Sequence, residues 1–376
     1  MNKKRVVVMF GGVSAEHEVS VVTALQVLEA INREVFDPLA VYLTQQSLFT
    51  YYPNLLTLQD FKSVKPISIH FGRDARGAYL QADGVWKAKQ YLTGAYLAFR
   101  GGNGESGQVQ GLLETLRLPF TSPGVEGSVI TMNKALTKHI LMAHELPTVP
   151  GLSVLSDQFK QTSQKICAEI LQRLSLPLII KPCHLGSSIG IHIAKTEVEL
   201  EKFLSEACLI DSEILVEKCL TNFKEYNCSV RKIRDQLSVS EIEKPISHDE
   251  ILSFADKYQR GSKKQGGGMA SLNRELPAHI SQELKTHLQD LAKKVFIACR
   301  CKGMVRIDFM LTEAGEIFVT EINPIPGSMS SYLWEASGIS FKEQITQLID
   351  QAIMDQQKME NQKLVYHSDI IDKFIG

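Results

Sequence analysis

A β-hairpin near the C-terminal end of the chain carries the residues with the clearest chemistry. Two runs that alternate apolar and polar residues, Met304–Leu311 and Ile317–Ile322, flank the turn Thr312–Glu316, which is the pattern of two antiparallel strands. Folding the chain about this turn predicts that Asp308 lies opposite Glu321. The hairpin would therefore bring two carboxylates together on one face.

The same face of the hairpin carries two further polar side chains. Asn323 follows Glu321 by two residues and Arg306 precedes Asp308 by two, so each projects to the side of its carboxylate neighbour. Carboxylate and amide oxygens beside an arginine suit Mg²⁺ bound jointly with phosphate groups. The alternative interpretation is an exposed polar face on which Arg306 takes part in a cross-strand ion pair. The stiff segment Pro324–Gly327 that follows favours the wall of a binding site.

A lysine closes another apolar run in the middle of the chain. Leu176–Lys181 has the composition of a short buried strand, and it leads into the glycine- and serine-rich loop Pro182–Gly190. The lysine, the N–H groups of the loop and the hydroxyls of Ser187 and Ser188 are suited to hold a polyphosphate. The loop is not a Walker A motif, because G-x-x-x-x-G-K-[ST] is absent from the sequence. The alternative is an ordinary strand end followed by a flexible turn.

The first part of the chain has the pattern of an α/β unit. The apolar run Val6–Phe10 ends in Gly11-Gly12 and precedes the periodic apolar stretch Val21–Ile31, which is the strand–loop–helix order of open parallel sheets. A second apolar run, Tyr91–Phe99, ends in another glycine-rich loop, Arg100–Gly107. Because ligands bind at the carboxyl ends of strands in such sheets, both loops are candidate walls of a site.

At 376 residues the chain is too long for one ordinary core. We predict three domains: residues 1–122, 123–217 and 218–376. The pattern predicts further helices and strands in the second and third of these: helices at Met132–His144, Glu197–Ala207 and roughly His279–Ala298, and strands at Ile191–Ala194 and Glu213–Glu217. The polar, glycine-rich stretch 257–268 predicts a mobile lid that closes over a ligand.

Composition excludes several classes of protein. The 41 Lys and Arg residues balance 42 Asp and Glu residues, and the net charge of −1 excludes a globally basic nucleic-acid binder. No apolar run approaches the roughly 20 residues needed to cross a bilayer. The basic start Met1–Arg5 resembles a signal peptide, but the apolar run after it is too short, so we expect a cytoplasmic protein without a membrane partner. The seven cysteines have no zinc-binding spacing and are expected to be reduced thiols.

Taken together, these features resemble the ATP-grasp enzymes and, among them, the D-alanine–D-alanine ligases. The matching segments follow the order of the family over nearly the whole chain: residues 11–20, 104–111, 132–134, 181–190, 256–258, 306–308 and 321–327. The resemblance implies an ATP-grasp fold, α/β overall and α+β in its ATP-binding part. Its three α/β domains would hold the nucleotide between the central and C-terminal domains.

The resemblance also implies the activity. A carboxylate attacks the γ-phosphate of ATP to give an acyl phosphate, an amine then attacks this acyl phosphate, and two D-alanines become D-alanyl-D-alanine for peptidoglycan. Small molecules would be the only partners apart from a second copy in a homodimer, with ATP and Mg²⁺, or Mn²⁺ in its place, as cofactors. Two other functions remain open: ligation with a different amino or hydroxy acid as acceptor, and a catalytically weak relative that binds nucleotide and regulates or scaffolds.

The family further implies a role for each matching residue. The phosphates would contact Lys134, Lys181 and Ser188. The adenine would contact Glu217, Lys218 and Leu220, and the ribose Glu225. The metal would bind Asp308, Glu321 and Asn323. Developing negative charge would be stabilised by Arg306 and the N–H near Gly327. The ammonium of the first amino acid would pair with Glu16, to which Ser187 and Tyr258 connect by hydrogen bonds, while Lys257 braces the lid.

Three departures from the family pattern concern the amino-acid site. Arg100 stands where the family has histidine, and Gly104–Gly107 has serine where the family has aspartate. After Gly327 the loop is several residues shorter, so the contacts to the acceptor would come from serines at new positions. The candidates are Ser328, Ser330 and Ser331. Arg100 is expected either to pair with Glu16 or Glu105 or to recruit a substrate carboxylate.

Overall fold

A seven-stranded sheet forms the N-terminal part of the protein. The computed structural model describes residues 3–84, 88–246, 274–362 and 370–375. The strands are β1 (Lys4–Gly11), β2 (Phe36–Leu43), β3 (Phe49–Tyr52), β4 (Ile67–Asp74), β5 (Gly77–Ala82), β6 (Gln90–Tyr91) and β7 (Gly94–Leu97), in the order β6-β5-β4-β3-β2-β1-β7. The helices are α1 (His17–Ala30), α2 (Leu58–Ser63) and α3 (Gln108–Thr115).

The predicted strand–loop–helix unit at the N-terminus is confirmed. β1 pairs in parallel with both β2 and β7, and its last six residues are all buried, as expected of a strand covered on both faces of a sheet. β3 to β6 extend the sheet in antiparallel fashion. Because β1 and β7 are parallel, the glycine-rich loops that follow them both lie at the carboxyl ends of the strands.

The middle of the chain forms a four-stranded antiparallel sheet. Its strands are β8 (Gly151–Leu155), β9 (Leu178–Pro182), β10 (His192–Ala194) and β11 (Glu213–Lys218), in the order β10-β9-β11-β8. The helices are α4 (Val125–Met132), α5 (Lys134–Ala143), α6 (Ser156–Arg173) and α7 (Glu197–Ala207).

The prediction of one continuous helix over Met132–His144 is wrong. Asn133 has a non-helical backbone with φ −97° and ψ 107°, and its side chain accepts a hydrogen bond from the Leu136 N–H. Asparagine in this role caps the N-terminus of a helix, so α5 begins at Lys134. The break places Lys134 in the first turn of a helix.

The third part contains a second four-stranded antiparallel sheet. The strands of this part are β12 (Phe223–Ile233), β13 (Gln236–Val239), β14 (Lys244–Pro245), β15 (Arg274–Glu275), β16 (Met304–Thr312) and β17 (Ile317–Asn323), and the four-stranded order is β13-β12-β16-β17. The helices are α8 (Gln282–Ala298), α9 (Ser331–Ala336), α10 (Phe341–Glu360) and α11 (Ile370–Ile375). α8 begins at Gln282 and not at His279, because Ser281 caps it through the Leu284 N–H. The predicted lid, with Lys257 and Tyr258, lies outside the described residues.

The packing joins the first and third parts. One apolar core combines the N-terminal sheet with C-terminal residues such as Met304, Ile325, Trp334 and Leu348, whereas the two four-stranded sheets have cores of their own. Residues between β17 and α9 therefore pack against the N-terminal sheet. Within the described ranges, no helix has the length and apolarity required to cross a membrane.

Candidate active site

The hairpin β16–β17 has the predicted pairing of its two carboxylates, with a one-residue shift in register on the turn side of Asp308. Asp308 lies opposite Glu321 and Arg306 lies opposite Asn323. The Arg306 guanidinium donates two hydrogen bonds to Asp308, from Nε to Oδ1 at 2.7 Å and from Nη2 to Oδ2 at 2.8 Å. The Asn323 Nδ2 donates to Asp308 Oδ2 at 3.2 Å. The turn between the strands thus assembles four polar side chains into one connected group.

The alternative interpretation of this face, an exposed surface with a cross-strand ion pair, is wrong. Arg306 and Asp308 belong to the same strand, and Arg306 is only 8% exposed. Burial alone would lower the pKa of Arg306, but the adjacent Asp308 more than offsets burial and raises this pKa well above its usual value. A permanent cation and a carboxylate are therefore held together in a buried wall.

Lys134 connects this hairpin to the glycine- and serine-rich loop. Its Nζ lies 3.6 Å from Glu321 Oε1 and donates to the Leu185 carbonyl at 2.6 Å. The lysine reaches both because the Asn133 cap fixes the start of α5, and because the Lys134 N–H donates to the Cys183 carbonyl at 3.1 Å. A cation thus lies between a carboxylate and the loop predicted to cover phosphates.

A second pair of lysines surrounds the buried carboxylate of Glu217. Lys181 Nζ lies 2.6 Å from Glu217 Oε2 and Lys138 Nζ lies 2.7 Å from Glu217 Oε1. Burial alone would raise the pKa of Glu217, but the two lysines hold it below its usual value. Lys138 was missed by the sequence analysis. It lies one helical turn after Lys134, so the four-residue spacing was the available signal.

The remaining residues predicted to contact adenine and ribose lie along the end of β11 and the start of β12. Lys218 is exposed, Leu220 is partly buried between the two strands, and Glu225 is partly buried on β12 opposite Met310. They follow Glu217 along the chain and continue from it towards the third part of the protein. The structure thus places them on a continuous stretch beside the lysine pair.

The loop after β9 contacts the N-terminal part of the protein. Ser187 and Ser188 have left-handed backbones, with φ of 52° and 59°. The Ser187 hydroxyl donates a hydrogen bond of 2.5 Å to Glu16 Oε1. A Cβ atom on Gly186 would lie 3.1 Å from Glu16 Oε2, so the glycine allows this close approach. The loop therefore links the glycine turn after β1 to Lys181.

Arg100 pairs with both carboxylates that the sequence suggested. Its guanidinium lies 3.8 Å from Glu16 Oε1 and 3.9 Å from Glu105 Oε1. Nη1 also donates a hydrogen bond of 2.5 Å to the carbonyl of Ile325. Arg100 thus ties the loop after β7 to the segment that precedes Gly327.

Glu105, which pairs with Arg100, has a pKa shifted far from the usual value of a glutamate. Burial, with a smaller contribution from Glu16, raises its pKa to about 7 although Arg100 and the Gly101 N–H favour the charged form. The Gly101 N–H donates to Glu105 Oε2 at 2.6 Å. The folded protein thus holds a proton on Glu105 more tightly than the unfolded chain does.

We expect this proton to make stability depend on pH. The pKa of Glu105 rises from 4.5 in the unfolded chain to about 7 in the folded state, so its contribution is complete below pH 4.5 and is lost as the pH rises through 7. Between pH 5 and pH 8 this contribution should decrease by on the order of 2 kcal/mol. Urea unfolding at both pH values measures the change, and Glu105→Gln should flatten the profile. The exposed Glu313→Gln is the matched control, and equal slopes for both variants would assign the pH dependence to other groups.

The segment after Gly327 adopts an unusual backbone. Ser328, Met329 and Ser330 all have positive φ angles, of 47°, 53° and 47°, a conformation that non-glycine residues seldom adopt. Ser328 is buried, and the fully buried Ser330 Oγ has no hydrogen-bond partner among the described residues. Ser331 is partly buried at the start of α9. Strain of this kind concentrates at functional sites.

The donor set on the hairpin fits a magnesium ion that binds together with phosphates. In the described part of the chain no three His, Cys, Asp or Glu side chains form a metal-binding group. The hairpin instead offers two carboxylates, Asp308 and Glu321, and the amide of Asn323. Mg²⁺ is usually bound by one or two carboxylates while phosphates and water supply its other ligands.

Comparison with known proteins supports the same interpretation. Residues 5–123 match the family model "D-ala D-ala ligase N-terminus" and residues 140–350 match "D-ala D-ala ligase C-terminus". The chain is 33% identical to a D-alanine–D-alanine ligase of Thermosipho africanus over 91% of both proteins. It is 29% identical to that of Staphylococcus carnosus over 98% of this chain and all of the relative.

Solved structures also match the fold over nearly the full chain. A D-alanine–D-alanine ligase from Coxiella burnetii has a TM-score of 0.80 and 25% identity, with 96% of this chain and 97% of that one covered. A D-Ala:D-Ser ligase from Enterococcus faecalis has a TM-score of 0.79 and 25% identity, with 93% and 100% covered.

The protein has two four-stranded antiparallel sheets, and Lys134 lies beside a carboxylate of the hairpin in the second sheet. Together with these relatives, this arrangement defines an ATP-grasp ligase. The predicted fold class is thereby confirmed. The family models cover most of the sequence, and the chain belongs to the D-alanine–D-alanine ligase family.

Proposed function

We propose that this protein joins two D-alanine molecules to D-alanyl-D-alanine for peptidoglycan precursor synthesis, with ATP as the energy source. The observation that carries the proposal is the position of Lys134, 3.6 Å from Glu321 on the hairpin and 2.6 Å from the Leu185 carbonyl in the serine loop. A cation between a cover loop and a carboxylate pair is suited to hold a triphosphate with its metal.

ATP would lie along the surface between the two four-stranded sheets. Lys134, Lys181 and Ser188 contact the phosphates, and Glu217, Lys218 and Leu220 contact the adenine, with Glu225 on the ribose. Glu217 is clamped by Lys138 and Lys181, so its carboxylate stays ionised and in place. The ion pair with Glu217 therefore leaves the Lys181 side chain little freedom to rotate away from the phosphates.

Mg²⁺ would be held by Asp308, Glu321 and Asn323, and Mn²⁺ is expected to replace it. When bound, the ion shields the negative charge of the phosphates from an approaching carboxylate. Arg306 keeps its full positive charge in the buried wall and stabilises negative charge that develops on the reacting groups. The backbone N–H near Gly327 adds a second donor.

The first D-alanine would bind at the meeting point of the N-terminal and central parts. Its ammonium pairs with Glu16, whose orientation is set by the 2.5 Å hydrogen bond from Ser187. Tyr258, outside the described residues, would add a second hydrogen bond when the lid closes, and Lys257 would brace the lid. Arg100 is paired with Glu16 and Glu105, so we assign it to holding these carboxylates and Ile325 in place.

The acceptor pocket is where a second function has support. The loop that follows Gly327 is short and strained at Ser328 and Ser330, and Ser331 begins the next helix. A changed backbone displaces hydrogen-bond donors, and a shift of about 1 Å in a reacting group costs on the order of 100-fold in rate. An acceptor other than D-alanine is therefore the second candidate.

The test is ADP release with ATP, Mg²⁺ and D-alanine as donor, while D-alanine, D-serine, L-alanine and D-lactate are offered as acceptors. We expect the highest kcat/KM with D-alanine as acceptor, with the product of each reaction identified by mass spectrometry. A preference below about 100-fold, or 2.7 kcal/mol, over D-serine or D-lactate would favour the altered acceptor. No ADP release with any amino acid would favour the catalytically weak relative.

The proposal extends to the domain boundaries, the position of the nucleotide and the oligomeric state, for which the family is the guide. The three domains comprise residues 1–122, 123–217 and 218–376, and the nucleotide binds between the second and third. Two copies form a homodimer in the cytoplasm. Sedimentation of the purified protein measures the oligomeric state directly.

A further inference from the structure

Three neighbouring strands place their side chains in rows across the sheet. On β12, β16 and β17 the register aligns Asn227 with Asp308 and Asp308 with Glu321. The adjacent row contains Ser229, Arg306 and Asn323. Directly opposite residues of antiparallel strands have Cβ atoms about 5 Å apart and share one face. Asn227 therefore belongs to the same face as the two hairpin carboxylates.

The side-chain oxygen of Asn227 is unsatisfied within the part of the chain that the structure describes. The residue is 5% exposed, and its Oδ1 is buried without a hydrogen bond from any described residue. Ser229, two residues further along the same strand, differs in this respect. Its hydroxyl donates to the Val305 carbonyl and accepts from Trp334 Nε1, both at 3.0 Å. Only the row with the carboxylates contains this orphaned amide.

The backbone of Asn227 is held from both sides. It pairs with Asp308 on β16, and on the other side its N–H and C=O exchange hydrogen bonds of 3.0 and 2.9 Å with Glu243. The position of its Cβ is therefore fixed. A rigid backbone that holds a polar side chain on the face of the hairpin carboxylates is suited to bind a ligand that arrives after folding.

We infer that Asn227 is a further ligand of the metal–triphosphate group at the hairpin. The inference rests on the proposed function and adds a residue to its metal site. An amide oxygen is a ligand type that Mg²⁺ accepts. Asp308 Oδ1 accepts a hydrogen bond from Arg306, and Oδ2 accepts one from Arg306 and one from Asn323, so Asp308 keeps only one lone pair, on Oδ1, for other contacts. An additional oxygen in the same row compensates for that shared carboxylate.

If Asn227 is a metal ligand, its replacement should weaken metal binding without lowering the stability of the protein. In Asn227→Leu the orphaned amide is replaced by an apolar group of similar size, so the melting temperature should stay equal or increase. Binding of Mn²⁺ in the presence of ADP should weaken about tenfold, as measured by electron paramagnetic resonance of free Mn²⁺. Binding of ADP without metal should not change. A structural asparagine would give the reverse: a lower melting temperature and unchanged Mn²⁺ affinity.

Ser229→Ala is the matched control on the same strand and face. Its hydroxyl makes two hydrogen bonds in the core, so the variant should melt at a lower temperature and bind Mn²⁺ with ADP like the wild type. If Ser229→Ala weakens Mn²⁺ binding as much as Asn227→Leu does, the effect belongs to the strand as a whole and the inference is wrong.

Asn227→Asp provides a second, independent measurement. It adds a carboxylate to the row of Asp308 and Glu321, so the metal-free protein should be less stable and Mn²⁺ with ADP should bind more tightly than in the wild type. Unchanged or weaker Mn²⁺ binding by this variant overturns the inference, also if Asn227→Leu fails to fold. A wild-type protein that does not bind Mn²⁺ with ADP would contradict the proposed function itself. Normal wild-type binding with unaffected variants contradicts only the role of Asn227.

Discussion

Replacing Glu321 with glutamine should reduce kcat by on the order of 100- to 1000-fold while leaving the fold intact. The side chain of Glu321 is 38% exposed and its ion pair with Lys134 spans 3.6 Å. An ion pair of this kind contributes little to stability, whereas the carboxylate supplies charge at the proposed metal site. ADP release in the presence of D-alanine measures the loss, and thermal unfolding measures the stability.

Asp308→Asn should be equally inactive and also less stable. Asp308 is the partner of the buried Arg306 through two hydrogen bonds, and leaving a buried charge without its partner costs about 3 kcal/mol. Activity must therefore be compared per folded molecule. Glu313→Gln in the exposed hairpin turn is the control for both variants. Full activity in the folded fraction of Glu321→Gln and Asp308→Asn would reduce the hairpin to a structural ion pair.

The hairpin was predictable because its determinants are local. Side chains alternate with a period of two residues, and the turn at Gly315, where φ is 85°, joins the strands with little freedom in register. These two facts place Asp308 within one residue of Glu321, and a one-residue shift in register between Asp308 and Phe309 brings the two carboxylates directly opposite each other. The start of α5 was similarly accessible, since asparagine before a periodic stretch signals an N-cap, although the apolar pattern alone predicts one helix over Met132–His144.

Contacts between distant segments were not predictable from local pattern. The four-residue spacing puts Lys138 on the same face of α5 as Lys134. The clamp of Lys138 and Lys181 on Glu217 also depends on how α5 packs against β9 and β11, which the spacing does not encode. The orphaned amide of Asn227 becomes visible only when the register of β12 on β16 is known. The family resemblance supplied roles for matching residues, but it gave no role to residues outside its motifs.

Arg100→Met is the second substitution with a large expected effect, in this case on stability. The guanidinium is 10% exposed at the side chain and lies within 4 Å of two carboxylates that are themselves buried. Removal of this cation leaves the buried Glu16 and Glu105 close together without its positive charge, which costs about 3 kcal/mol at pH 8. Urea unfolding measures the difference, and the loss should be smaller at pH 5, where Glu105 carries a proton.

Two further variants separate charge from geometry at this position. Arg100→Lys keeps the charge but lacks the planar fork that reaches Glu16, Glu105 and the Ile325 carbonyl together, so it should recover only part of the lost stability. Adding Glu105→Gln to Arg100→Met removes one of the two buried carboxylates that lose their arginine, and the double variant should be more stable at pH 8 than Arg100→Met alone. Additive losses in this cycle would show that Arg100 and Glu105 do not interact. Since Arg100 also holds the carbonyl two residues before Gly327, KM for D-alanine should rise in Arg100→Met even where the protein is fully folded.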